Sequence, residues 1–90
     1  MAKKQVTWSA LAKKDLYAAL ENHIRKYGDK KLTSLFYDAL DRKIRLLSKG
    51  RLLTSKTSVR NVSCFSDSGF RFLFEEQEES ILIHCVSEDL

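Results

Sequence analysis

Residues 59–86 read VRNVSCFSDSGFRFLFEEQEESILIHCV, and the reading of this stretch decides the fold. Ser66-Asp67-Ser68-Gly69 has the chemistry of a tight turn, and Glu75 to Glu79 is an acidic turn. Between and around them lie three apolar runs of strand length: Val59 to Phe65, Phe70 to Phe74 and Ser80 to Val86. In the second run Phe70, Phe72 and Phe74 fall on one face and Arg71 on the other, because strand side chains alternate. The third contains Ile81-Leu82-Ile83, apolar at every position. Such a run predicts a strand in the middle of a sheet, covered on both sides.

Upstream, the periodicity changes from two to 3.6. Leu32, Leu35, Phe36, Ala39, Leu40, Ile44 and Leu47 form one apolar stripe of a helix that Asp29 can cap and Gly50 can end. Asp38 with Arg42, and Asp41 with Arg45, stand four apart on its wet face. An earlier helix follows Ser9, a good N-cap, and stops at Gly28. Its apolar positions are Leu16, Leu20, Ile24 and Tyr27, with Ala12 and His23 on the same side, and Glu21 can pair with Arg25. The short joint between the helices predicts an antiparallel hairpin. Gln5-Val6-Thr7-Trp8 reads as a short strand, and the polar, basic segment from Arg51 to Ser58 as a loop.

The helices need an apolar surface, and one face of the sheet supplies it. The expected architecture is a two-layer α+β fold, β-α-α-β-β-β. A helical hairpin packs on a curled, four-stranded, mainly antiparallel sheet. Leu16, Leu20, Leu35, Phe36, Leu40, Phe72, Leu82 and Trp8 are the expected core. Residues 1–90 fit one domain.

Composition agrees. The chain is 43% hydrophobic and 31% charged, enough for one core without the signature of disorder. No run approaches the ~18 apolar residues of a membrane span. The start has lysines but no long apolar stretch behind them, so no secretory signal is expected. Cys64 and Cys85 sit in apolar runs, outside any metal-binding spacing. They read as buried free thiols in a reduced cytosol, and a disulfide would need their two strands to be neighbours. Neither a metal site nor a glycine-rich phosphate loop is legible. The net charge of +4 is unevenly spread. From Arg42 to Ser66 there is no acid against Arg42, Lys43, Arg45, Lys49, Arg51, Lys56 and Arg60; from Asp67 onward only Arg71 opposes seven acids. A basic middle beside an acidic end suits an anionic partner, and equally a solvated basic loop. Aromatic side chains for base stacking are missing between Arg42 and Arg60, which counts against a plain nucleic-acid-binding module.

In order and spacing of elements the chain resembles the RelE/ParE superfamily, the toxins of bacterial type II toxin–antitoxin systems, also known for plasmid stabilisation. Val6-Thr7-Trp8-Ser9 with Ala12 and Asp15-Leu16 resembles the family opening. Val59-Arg60-Asn61-Val62 is similar to its first meander strand, Phe70-Arg71-Phe72-Leu73-Phe74 to the next, and Ser80-Ile81-Leu82-Ile83 to the last. The resemblance implies a cytoplasmic toxin that inhibits growth, neutralised by a cognate antitoxin. It implies no cofactor, and it is compatible with a homodimer. Its target would be DNA gyrase, blocked by binding, or mRNA cut on the ribosome. Lys49, Arg51, Lys56, Arg60 and Arg71 stand where such toxins carry cations, and are the candidate target- or phosphate-binding residues.

Cleavage also needs proton transfer, and the catalytic residues are not legible. The family's ribonucleases carry Arg, His or Tyr near the chain end, where this chain has Ser87-Glu88-Asp89-Leu90. The Arg- or His-rich tail of many gyrase-directed members is missing too. His84, inside the last strand, reads as a histidine at the edge of the core. The missing proton-transfer set favours a ParE-like, non-enzymatic toxin over a RelE-like endoribonuclease. An inactive member is the remaining alternative.

Overall fold

The computed structural model describes residues 3–28, 30–67 and 69–88. Strand β1 (Gln5–Trp8) leads into helices α1 (Ala10–Tyr27) and α2 (Lys30–Ser48). Strands β2 (Ser55–Lys56), β3 (Val62–Asp67), β4 (Phe70–Glu76) and β5 (Ser80–Glu88) follow. The sheet order is β1-β5-β4-β3-β2, with β1 parallel to β5 and the other pairs antiparallel. The expected α+β layout is present, with one strand more than the four expected. The extra strand is β2, two residues within the segment read as a loop.

Capping follows the local chemistry. The Ser9 hydroxyl accepts from Ala12 N–H at 3.0 Å. It also donates to the His84 carbonyl of β5 at 2.7 Å, so one side chain both starts α1 and ties it to the sheet. Gly28 takes φ 63 and donates to Ile24 O at 2.6 Å, closing the helix. Asp29, the expected cap of α2, lies outside the described residues. Of the expected ion pairs, Arg25–Glu21 closes at 3.4 Å and Arg45–Asp41 at 2.9 Å.

The core lies between the hairpin and one sheet face. Ala12 and Leu20 from α1 and Phe36, Leu40 and Leu47 from α2 cover Phe65, Phe70, Phe72, Phe74, Ile81, Ile83 and Val86. Phe65 stacks on Phe72 at 4.9 Å, and Trp8 meets Phe72 edge-on at 6.2 Å. Leu16 and Trp8 are half-buried against this cluster. Leu35, expected in the core, is 59% exposed. It lies one residue before Phe36, and the stripe Phe36-Leu40-Leu47 turns it out of the interface.

The other sheet face corrects a second expectation. β5 is central, but no helix of the described residues covers its outer side. Leu82, expected in the core, is half-buried there with Leu73, Cys64 and Cys85. Cys64 and Cys85 are free, as expected, but half-buried rather than buried, because the face they point to carries no helix of the described residues. Both register with Leu73 of the intervening β4, so they sit two strand spacings apart, ~10 Å, beyond disulfide reach. No helix of the described residues is long and apolar enough to cross a membrane.

Candidate functional site

Three surfaces carry the expected cations. The first is the loop before β3. Arg60 was expected in a strand beginning at Val59; the structure places it in a turn, and the strand begins at Val62. The cause is Thr57. Its hydroxyl accepts from Val59 N–H at 3.1 Å and lies 2.8 Å from Val62 O as donor, while its own N–H donates to Val62 O at 3.0 Å. Asn61 completes the loop at φ 65, a left-handed conformation that an asparagine tolerates. Exposed Arg60 and exposed Lys56 of β2 line one hollow of about 470 Å³, with Glu76 at its border.

The second surface lies at the end of α2. Arg51 N–H donates to Leu46 O at 2.8 Å and finishes the helix, leaving the side chain exposed. Lys49 lines a separate hollow of about 590 Å³ with Lys3, Lys4 and Arg45. The third surface is the outer face of the sheet. There Arg71 stands between Ser66 of β3 and Ser87 of β5. The five predicted cations are therefore spread over three surfaces, and Lys56 and Arg60 share a hollow.

The outer face also holds a pair that periodicity alone did not reveal. Leu73 registers with Cys85, but the next residue, Phe74, registers with Ile83. His84 is the extra residue of this bulge. Instead of lying at the core edge it stands half-exposed, its Nε2 3.9 Å from Glu75 Oε1. That distance allows an ion pair when the ring is protonated and exceeds a hydrogen bond. Glu75 in turn accepts from Gln77 Nε2 at 3.2 Å. A bulge breaks the ladder locally and bends its strand, and here it shifts the alternation so that His84 and Cys85 both precede the next buried residue, Val86. His84, Glu75 and Arg71 share one open face. Cys85 beside them is not a ready nucleophile: burial, with the Asp15 carboxylate adding to it, pushes its thiol pKa up. Asp15, part of the family-like opening, accepts Val86 N–H at 3.2 Å and so has a structural task. Among the described residues, no three His, Cys, Asp or Glu gather to hold a metal ion.

No family model matches the chain, and no curated protein matches it in sequence. Among solved structures, a chain of the chromosomal ParDE TA system from P. aeruginosa superposes with a TM-score of 0.78. The match covers 96% of this chain and 96% of that one, at 17% sequence identity. The chain has a RelE/ParE-type fold. Within that fold the two helices lie on one sheet face, and the opposite face, with Arg71, Glu75 and His84, is left open.

Proposed function

We propose that this protein is the toxin of a bacterial type II toxin–antitoxin pair, ParE-like, acting in the cytoplasm by binding its target and neutralised by a cognate antitoxin. The observation that carries the reading is the likeness over 96% of both chains to a chain of a ParDE system. Two features of the surface support it. The helical hairpin keeps Tyr17, Ile24, Leu35 and Leu46 exposed, large apolar groups that an amphipathic antitoxin segment would cover. The cations Lys49, Arg51, Lys56 and Arg60 stand clear of the core, available to an acidic partner or target. DNA gyrase is the proposed target, bound through these cations and Arg71. Induction of the chain alone should arrest growth, and co-expression with its cognate antitoxin, to be sought in a gene adjacent to this one, should restore it and yield a complex on size exclusion. Purified protein should inhibit gyrase supercoiling. Arrest without gyrase inhibition would remove the target but leave the toxin; no arrest at full expression would remove both.

One observation favours a second reading, a RelE-like ribosome-dependent endoribonuclease. Strand β5 presents His84, with Glu75 beside it, on the open face that also carries Arg71. A histidine is a competent proton shuttle near neutral pH, and an arginine can stabilise a developing phosphorane charge. Primer extension on mRNA bound to translating ribosomes separates the two. New 5′ ends that disappear in His84→Ala would establish the nuclease and displace the binding-only toxin.

A further inference from the structure

The two edges of the sheet are finished differently. On the far side of the sheet, where β3 runs on past the end of β2, Lys43 Nζ donates to Ser66 O at 2.6 Å and pairs with Asp67 at 3.5 Å, so a backbone acceptor there is occupied. At the β1 edge the protection stops early. Gln5 N–H donates to Glu79 O at 3.3 Å and Ser9 N–H to Ile83 O at 2.9 Å. Odd-numbered residues of β1 therefore direct their backbone groups to β5, and even-numbered ones direct them outward. Lys4, the first outward residue, is satisfied by α2: its N–H donates to Ser48 O at 3.1 Å, and its carbonyl accepts from the Ser48 hydroxyl. Val6 and Trp8 come next, and no hydrogen bond of the described residues uses their outward N–H and C=O groups.

The hollow beside this edge, about 590 Å³, is lined by Lys3, Lys4, Arg45 and Lys49 around Val6 and Ile44, and by no carboxylate. Lys4 is held by Glu76 at 3.2 Å and Arg45 by Asp41 at 2.9 Å. Lys3 and Lys49 make no ion pair with the described residues. Lysines on an edge ordinarily deter pairing, and toward a second copy of this basic surface they do so here. Toward a strand of opposite charge the same lysines attract.

We infer that the β1 edge, with the cationic hollow between it and α2, is a docking site for an extended acidic segment of a partner protein, which adds as a strand at Val6 and Trp8. Main-chain bonds would hold the segment, the cations would select its charge, and Ile44 with Val6 offers an apolar seat for one side chain in two. The inference does not depend on the toxin reading.

The test uses the full chain, labelled with ¹⁵N, and a synthetic peptide of about eight residues alternating glutamate and valine, the length of an ordinary strand. Binding should slow amide exchange at Val6 and Trp8 and leave Thr7, already bonded to β5, unchanged. It should weaken with added salt, and by about tenfold or more in the Lys3→Glu, Lys49→Glu variant, whose melting confirms that it folds. Four results would overturn the inference: no binding at about 1 mM; binding without protection of Val6 and Trp8; equal binding by the peptide with lysine in place of glutamate; or tighter binding of a short single-stranded oligonucleotide at the same residues.

Discussion

The inner and outer faces of the sheet are built from the same strands and differ in almost every property. On the inner face Phe65, Phe70, Phe72, Phe74, Ile81 and Ile83 are buried beneath the helices. On the outer face the alternate positions, among them Arg71, Leu73, Glu75, Leu82 and His84, are half-buried or exposed. The inner face is closed by apolar contact that any comparable hydrophobic set would supply. The outer one presents charge and a titratable ring at fixed spacing. Burial on one side holds the strands in register, and that register places Arg71 and Glu75 opposite.

The largest effect should come from emptying the inner face. Phe72→Ala removes a fully buried ring that touches both Phe65 and Trp8, and should cost ~3–5 kcal/mol in a denaturant melt. Leu40→Ala should cost ~2–5 kcal/mol by the same argument. A loss below about 0.5 kcal/mol at either site would break the contrast between the faces. Next comes the joint between hairpin and sheet. Ser9→Ala removes both the α1 cap and a bond to β5, and should cost ~1–2 kcal/mol, against a few tenths for Ser9→Gly if capping alone mattered. Smaller still is the outer set. Glu75→Gln and Leu35→Ala, the latter exposed on the hairpin, should each stay within ~0.5 kcal/mol.

A chemical probe sharpens the same contrast. Cys85 belongs to the outer face, yet burial and the Asp15 carboxylate disfavour its thiolate. Its alkylation by iodoacetamide should be slow at neutral pH and rise with a midpoint above the ordinary thiol value. Asp15→Asn removes the negative neighbour and should move that midpoint down, while leaving the part due to burial. A midpoint at or below the ordinary value in the wild-type chain would show Cys85 to be freely solvated.

Much of the architecture is written in short-range pattern. Ser9 and Gly28 bound the first helix because a hydroxyl can accept a free amide and a glycine can turn left-handed, whatever the rest of the chain does. The Phe70-Phe72-Phe74 alternation and the Phe36-Leu40-Leu47 stripe identify the surfaces that meet. Arg60 is instructive as a miss. Its stretch has strand-like composition, but the Thr57 hydroxyl captures the backbone of Val59 and Val62, a competition that residue propensity does not weigh.

The candidate surfaces were less legible, since each joins residues far apart in the chain. The sequence by itself determined the number and order of the principal elements, the caps, the inner face and the uneven charge, all consequences of neighbours within a few residues. Only the tertiary structure decided that β1 runs parallel to β5 at the sheet edge, which brings Lys3 and Lys4 beside Lys49. It alone decided that β5 bulges at His84, so that Val86 rather than Cys85 returns to the buried face, while the ring of His84, outward like Leu82, stands beside Glu75. Both are matters of long-range pairing register, where the energy lies in contacts between strands and no single segment encodes the outcome.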